Sequence, residues 1–171
     1  HDVSDGGLFT TLAELAFTNK VGITILLPDG ADNSQSIFQN LFSEEAGVVI
    51  QLNDDFENQA LALFSKENIN ARKCAIQTTD AQITVLVNDK IKFHESVVSL
   101  EKIWSETSYA IKSLRDNPES AQEEYDLIEK YDDQGLIAKD SFQYSAALPS
   151  FNVNSKPKVA IFREQGVNGQ N

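Results

Sequence analysis

The first eight residues of the chain, HDVSDGGL, concentrate groups that bind cations and phosphates. Asp2 and Asp5 carry the hard carboxylate oxygens that Mg²⁺ accepts as ligands, and Ser4 adds a hydroxyl. Gly6 and Gly7 precede an amphipathic segment, and a helix start favours phosphate through its N–H groups and macrodipole. Because magnesium accompanies nucleotide phosphates, we interpret the segment as part of a nucleotide–magnesium site. The alternative is an ordinary Asp-Gly-Gly turn in which Asp5 only caps the helix.

Charge and composition narrow the range of partners. The 171 residues include 26 acidic and 14 basic side chains, a net charge of −12. Nucleic acids and anionic membranes are bound by clustered Lys and Arg, so we expect neither as a partner. No apolar run approaches the roughly 20 residues that span a bilayer. The single cysteine, Cys74, lies in an apolar context and excludes an internal disulfide, which favours a reducing, cytoplasmic location.

Hydrophobic periodicity predicts the elements that must position the motif. Apolar residues at spacings of three and four predict helices over residues 7–17, 54–67 and 100–114. Two more helices are predicted over residues 36–42, after a polar stretch, and 118–131, after Asn117-Pro118. Runs rich in β-branched residues predict strands over residues 21–27, 47–52, 73–78, 82–87 and 90–98. Because helices and strands mix irregularly, we predict an α+β fold with a mixed β-sheet packed by helices and an extended C-terminal segment.

Several local signals sharpen these predictions. Asp54 and Glu57 have the spacing of a capping box, Ser99 is the predicted N-cap of the fourth helix, and Asn117-Pro118 starts the fifth. The strand over 47–52 is predicted to be buried, and the strands over 73–78 and 82–87 to form a hairpin. The apolar stripes of the third and fourth helices are expected to face inward; they comprise Phe56, Ala60, Leu63 and Phe64, and then Leu100, Ile103, Trp104, Thr107, Ile111 and Leu114.

The C-terminal part of the chain has a different pattern. Residues 116–133 hold eight acids and one base, which we interpret as a solvated helix face. Residues 132–157 show no sustained periodicity and are predicted to be a linker or a strap over a surface, and residues 158–162 to form one more strand before a turn. The chain lacks methionine and begins inside a chemically dense motif, so we expect it to be a fragment of a longer protein.

Four blocks of sequence, in this order, resemble phosphoribosylformylglycinamidine synthase in its large, single-chain form with a C-terminal glutaminase domain. They are HDVSDGGL with the TLAELAF that follows, LFSEEAGVVIQL, a third block from Trp104 to LRDNPESAQEE, and KPKVAIFREQGVNGQ. The resemblance implies that residues 1–130 are the C-terminal subdomain of the second aminoimidazole-ribonucleotide-synthetase-like unit. Residues 131–155 would then be a linker and residues 156–171 the first strand and turn of the glutaminase domain.

The resemblance implies an enzyme of purine biosynthesis with ATP and Mg²⁺ as cofactors. The parent reaction converts formylglycinamide ribonucleotide, glutamine and ATP to formylglycinamidine ribonucleotide, glutamate, ADP and phosphate. Carried over by position, Asp2 is the magnesium ligand and Ser4 contacts the nucleotide, while Asp5, Gly6 and Gly7 shape the turn at the phosphates. No catalytic residue is expected among these 171 residues, so we expect the isolated chain to be inactive. Its partners would be the remaining domains of the same polypeptide and these small molecules.

Other residues of the matching blocks are assigned less specific roles. His1 either orients Asp2 or is a packing residue. For Glu44 and Glu45 we expect a subdomain contact or a strand-entry cap, and for Arg115-Asp116-Asn117 capping and salt-bridging.

Two other functions remain open. One is an auxiliary nucleotide site of the same enzyme, without a direct catalytic role. The other is a kinase of the same superfamily, such as a thiamine-monophosphate or selenophosphate-producing enzyme. The KVAIFREQGVNG block disfavours the kinase, because such kinases carry no appended glutaminase.

Overall fold

The computed structural model describes residues 1–130, 133, 135–142, 158 and 160, and the first compact unit spans His1–Asp133. The strands of this unit are β1 (Asp2–Val3), β2 (Gly22–Leu26), β3 (Gly47–Val48), β4 (Ala75–Thr78), β5 (Gln82–Val87) and β6 (Lys90–Ser96). Its α-helices are α1 (Gly7–Asn19), α2 (Ser34–Phe42), α3 (Glu57–Lys66), α4 (Val97–Arg115) and α5 (Pro118–Asp126). Single 3-10 turns at Asp54–Phe56 and Leu127–Glu129 precede α3 and follow α5.

The second unit spans Gln134–Asn171. Its described residues, 135–142, 158 and 160, are exposed and form neither helix nor strand. The strand predicted over 158–162 and the turn after it lie largely outside the described residues, so the linker and the start of a further domain stay predictions.

Four strands form a mixed sheet in the order β4-β2-β5-β6. β2 runs parallel to β5 and antiparallel to β4, and β5 is antiparallel to β6. The predicted α+β fold with a mixed sheet packed by helices is therefore confirmed. The predicted hairpin of β4 and β5 is wrong, because β2 lies between these two strands.

The connection from β4 to β5 passes over the start of β2. Three residues can make this crossing, since two strand spacings amount to about 9.6 Å and each residue extends the chain by up to about 3.5 Å. Gly22 gives the connection room, because a Cβ there would lie 2.2 Å from both the Asp80 carboxylate and the Thr78 hydroxyl. The Thr78 hydroxyl donates to Asp80 at 2.6 Å, which lowers the pKa of this carboxyl and stabilises the crossing.

The main core lies where α1 packs on the sheet. Buried and half-buried side chains alternate along β5, as expected for a strand with one covered face. Burial of each larger side chain in this cluster stabilises the fold by about 1.5–3 kcal/mol. The ten buried residues of the cluster are Leu12, Ala13, Ala16, Phe17, Ile23, Ile25, Leu41, Ile83, Val85 and Val97. The core therefore fixes α1, whose first residues belong to the HDVSDGGL motif.

The strand predicted over 47–52 is shorter and more exposed than expected. Only Gly47–Val48 is a strand, and it pairs with β1 outside the main sheet. Val48 is 71% exposed and Ile50 51% exposed, whereas Val49 packs against the core. The prediction of a buried strand is wrong because only one of its apolar side chains reaches the core.

The prediction of a capping box at α3 is also wrong. Neither the 3-10 turn nor α3 has a side-chain N-cap, and the Glu57 carboxylate accepts a hydrogen bond from Lys73 at 2.7 Å instead. The prediction that the apolar stripe of this helix faces inward is wrong in part, because Phe56 and Leu63 are more than half exposed while Phe64 is half-buried.

The start of α4 lies three residues before its predicted position. Ser96 is the N-cap, and its hydroxyl accepts the N–H of Ser99 at 3.0 Å, so Ser99 is the third residue of the helix rather than its cap. The prediction that the apolar stripe of α4 faces inward is wrong in part, since Leu100 packs against the core whereas Ile103 and Leu114 are 67% and 91% exposed.

Glu101 on α4 provides a test of this packing. Its Oε2 atom is buried and has no hydrogen-bond partner within the described part of the chain, and desolvation raises the pKa of the carboxyl against the opposing charge of Lys20. A raised pKa means that the charged form disfavours folding, a cost that is present at neutral pH and disappears as pH falls through the glutamate range.

We expect Glu101→Gln to raise the free energy of unfolding at neutral pH by less than about 1 kcal/mol, since solvent screens the half-buried carboxylate. The gain should vanish below about pH 4, where the wild-type carboxyl is protonated in both states. Urea unfolding at the two pH values measures this difference. Glu106→Gln, on the exposed side of the same helix, is the matched control, and a gain that does not depend on pH would contradict the prediction.

Candidate functional site

Main-chain hydrogen bonds hold the HDVSDGGL motif in place. β1 pairs antiparallel with β3, with Asp2 opposite Val48. Next to this pair, the carbonyl of His1 accepts the N–H of Val49 at 2.7 Å and the amino group of His1 donates to the carbonyl of Val49 at 2.9 Å. The backbone on both sides of the Asp2 side chain is therefore fixed.

A tight turn joins β1 to α1. The N–H of Gly7 donates to the carbonyl of Ser4 at 2.9 Å, and both Gly6 and Gly7 have positive φ, at 80° and 67°. Gly6 is the N-cap and no side chain caps the helix, so the alternative in which Asp5 caps α1 is wrong. Gly7 is buried against the end of α2, where an added Cβ would lie 2.8 Å from the carbonyl oxygen of Leu41.

The carboxylate of Asp2 is presented to solvent. Its side chain is 80% exposed, and its Oδ1 lies 3.8 Å from Nδ1 of His1. The carbonyl oxygen of the same residue lies 2.6 Å from Nδ1 of His1 and accepts from the Thr11 hydroxyl at 3.4 Å. Ser4 and Asp5 are exposed as well, so all three predicted polar residues lie on the surface, in β1 and in the turn that follows it.

Glu44 also contacts this turn, which the sequence did not predict. Its Oε1 accepts the N–H of Gly6 at 2.9 Å, across 38 residues of sequence. The N–H groups of Gly6 and Gly7 are thus both engaged by groups of the chain itself. A phosphate at this turn would have to displace the Glu44 carboxylate or use the Ser4 hydroxyl. The only sequence signal for this contact is an acidic pair that could complement a helix start.

The ligand set for a metal at this turn is small. Within the residues that the structure describes, no three His, Cys, Asp or Glu side chains are grouped closely enough to hold a metal ion. Magnesium differs from zinc in this respect, because it keeps several waters and is commonly bound by one or two carboxylates together with substrate phosphates. A single exposed carboxylate such as Asp2 fits Mg²⁺ that arrives with a nucleotide, and it does not fit a metal held by protein alone.

The other residues singled out in the sequence have structural surroundings. Arg115 pairs with Asp116 through bonds of 2.8 and 2.7 Å, which raise the pKa of the guanidinium and lower that of the carboxyl. The side chain of Asn117 caps α5 by accepting the N–H of Ser120 at 3.0 Å. The prediction that this segment serves capping and salt-bridging is confirmed.

Cys74 precedes β4 and His94 lies on β6, so neither belongs to the motif. Cys74 is half-buried, and desolvation raises the pKa of its thiol, so it stays protonated at neutral pH and is a poor nucleophile. His94 lies on β6, where its Nδ1 is 2.9 Å from the Thr84 hydroxyl on the neighbouring strand β5.

The arrangement of helices and strands defines the structural class of the protein. A mixed sheet packed by helices defines the class as an α+β domain. A protein-family model described as AIR synthase related protein, C-terminal domain, matches residues 1–88, which is 88 of the 171 residues. The chain belongs to this family, whose enzymes are ATP-dependent synthetases of the purine-biosynthesis type.

The family match contains the whole motif, Glu44 and the first five strands, and it ends before β6 and α4. Among the described helices, none combines the length and the apolar character that crossing a membrane requires.

Proposed function

We propose that the chain is part of a phosphoribosylformylglycinamidine synthase, which uses ATP and glutamine to convert formylglycinamide ribonucleotide to the corresponding amidine. Membership of the AIR synthase related family supports an ATP-dependent synthetase. The finer assignment rests on the resemblance of four ordered blocks, two of which lie beyond the family match. The observation that carries the proposal is the exposed Asp2 carboxylate, held by β-pairing beside Ser4 and a glycine turn.

In this proposal Asp2 holds Mg²⁺ and the hydroxyl of Ser4 donates to a phosphate oxygen of ATP. When bound, Mg²⁺ would neutralise charge on the phosphates. Gly6 and Gly7 allow the chain to turn sharply from β1 into α1, directly after the exposed residues Ser4 and Asp5. No residue of the described chain is assigned to the chemical step itself.

The bond between Glu44 and Gly6 is compatible with a second candidate function. Because the turn is already closed by protein groups, it suits a nucleotide that is held for stability as well as one that turns over. We therefore keep an auxiliary, structural Mg²⁺–nucleotide site of the same enzyme as the second candidate.

The first experiment is calorimetric titration of the chain with Mg²⁺–ATP. The titration is then repeated with ATP in the presence of a chelator that removes Mg²⁺. We expect binding that depends on magnesium and falls at least about tenfold in Asp2→Asn, which corresponds to about 1.4 kcal/mol. Asp55→Asn, at an exposed acid remote in sequence from the motif, is the matched control. Equal affinity in Asp2→Asn and wild type would refute the assignment of Asp2.

The same substitution in the complete enzyme separates the two candidates. Loss of turnover with unchanged thermal stability would support a reacting site. Loss of thermal stability with normal turnover would support the auxiliary site.

A further inference from the structure

The side chain of Glu14 connects the HDVSDGGL motif to helix α4. Its Oε2 lies 3.1 Å from Nε2 of His1, and its Oε1 accepts the indole N–H of Trp104 at 3.1 Å. Both carboxylate oxygens are therefore engaged, one on each side. The side chains of Glu14 and His1 are 30% and 31% exposed, so solvent weakens this contact less than it would a fully exposed pair.

The ring of His1 contacts both Glu14 and Asp2, and so connects these two residues. While Nε2 faces the Glu14 carboxylate, Nδ1 lies 2.6 Å from the carbonyl oxygen of Asp2. With one contact at each nitrogen, the imidazole has a single orientation. The carbonyl that it contacts belongs to the residue whose carboxylate is presented to solvent. Glu14 therefore restrains, through His1, the backbone from which that carboxylate extends.

Trp104 brings helix α4 into the same network. Its ring packs on Phe17 of α1, with ring centroids 5.8 Å apart, while its N–H reaches Glu14. α4 begins at Val97 and lies wholly outside the family match, which ends at residue 88. A segment beyond the family domain thereby supports the motif within it.

We propose that Glu14 is a positioning residue for Asp2 and that Trp104 extends this support to α4. The proposal rests on the proposed role of Asp2 as a magnesium ligand. Partners that orient metal ligands from behind commonly change metal affinity by about 10–100-fold when they are removed. Glu14 stands in that relation to Asp2, acting through His1 and without contacting the nucleotide.

The first test needs no ligand. The chain has two histidines, His1 and His94, so their ring signals can be assigned in ¹H–¹⁵N spectra of the full chain. Glu14→Gln should shift the ring nitrogen signals of His1 and leave those of His94 unchanged. Glu106→Gln, the same chemical change on α4, should shift neither. Unshifted His1 signals in Glu14→Gln would overturn the proposal whatever the chain binds.

The second test measures binding of Mg²⁺–ATP by calorimetry. The affinity for Mg²⁺–ATP should fall by about tenfold or more in Glu14→Gln. It should also fall in Trp104→Phe, and it should stay at the wild-type value in Glu106→Gln. Trp104→Phe removes the N–H donor while keeping an aromatic ring against Phe17, and thermal melting of each variant shows whether it is folded. Wild-type affinity in a folded Glu14→Gln would overturn the positioning role and leave the proposed function intact.

The change in tryptophan fluorescence on ligand binding tests whether Glu14 couples Trp104 to the site. Trp104 is the only tryptophan of the chain, so its emission reports on this network alone. Mg²⁺–ATP should change the emission of the wild type, and the change should be lost in Glu14→Gln at equal saturation. Absence of any binding to the wild type would refute the role of Asp2 and with it the proposal, even where the ring shifts of His1 show that the contact exists.

Discussion

Replacing Gly7 with alanine is expected to lower the free energy of unfolding by about 2–5 kcal/mol. Two costs add. A residue with a Cβ at the observed φ of 67° loses roughly 1–2 kcal/mol, and overpacking of a buried position costs about 1–3 kcal/mol. The added Cβ would meet only backbone, lying 2.8 Å from Leu41 O, Phe42 C and Phe42 Cα, so no flexible side chain can move aside.

Gly30→Ala is the matched control for this prediction. Gly30 also has a positive φ, of 89°, but an added Cβ there would meet nothing within 4 Å. It should therefore show the backbone cost alone, and the difference between the two variants in urea unfolding isolates the contact between α1 and the end of α2. Equal losses in both variants would contradict the close approach at Gly7.

The same substitution has a consequence for the site. Because Gly7 donates to the carbonyl of Ser4, moving its backbone away from α2 moves the turn that carries Ser4. At a temperature where Gly7→Ala remains folded, we expect weaker binding of Mg²⁺–ATP than in Gly30→Ala. This result would link the packing of α1 on α2 to the proposed nucleotide contact.

Local patterns in the sequence predict the helix and strands that build the core. Leu8, Leu12 and Leu15 recur at helical spacing and predict α1, and the β-branched run that begins at Val21 predicts β2. These elements are predictable because their signals lie within a few residues of each other. The polar groups of the motif are recognisable for the same reason, since Asp2 and Ser4 are near neighbours in the chain.

The order of the strands and the supports of the motif could not be predicted in this way. A short connection between two strands normally predicts a hairpin, and nothing within residues 73–87 indicates that β2 inserts between them. The contact of Glu44 with Gly6 spans 38 residues and that of Trp104 with Glu14 spans 90. Such pairs are set by the tertiary fold, which one sequence read by periodicity does not reveal.

Apolar periodicity also overestimates burial within the described unit. Leu114 has the helical spacing of a core residue, yet it is 91% exposed. Periodicity identifies a face that is chemically suited to burial, whereas burial itself requires a neighbour. α4 packs on α1 and α5, and these contacts leave the side of the helix that carries Ile103 and Leu114 uncovered by the described residues.

The second large effect is expected at the centre of the core. Ile25 on β2 is fully buried and belongs to the same cluster as Ala16 and Phe17 of α1. Truncating it to alanine removes buried methyl and methylene groups and leaves a cavity, which typically costs about 2–5 kcal/mol. Urea unfolding of Ile25→Ala should therefore show a lower midpoint than that of the wild type.

Ile91→Ala makes the same chemical change on the same sheet, at a side chain that is 64% exposed, and should cost less than about 0.5 kcal/mol. A similar loss in both variants would mean that Ile25 is not at the centre of the core. The comparison also bears on function, because Ile25 belongs to the cluster that anchors α1, and α1 begins at the proposed nucleotide turn. If the core positions this turn, a folded Ile25→Ala should bind Mg²⁺–ATP more weakly than Ile91→Ala, although neither residue belongs to the proposed site.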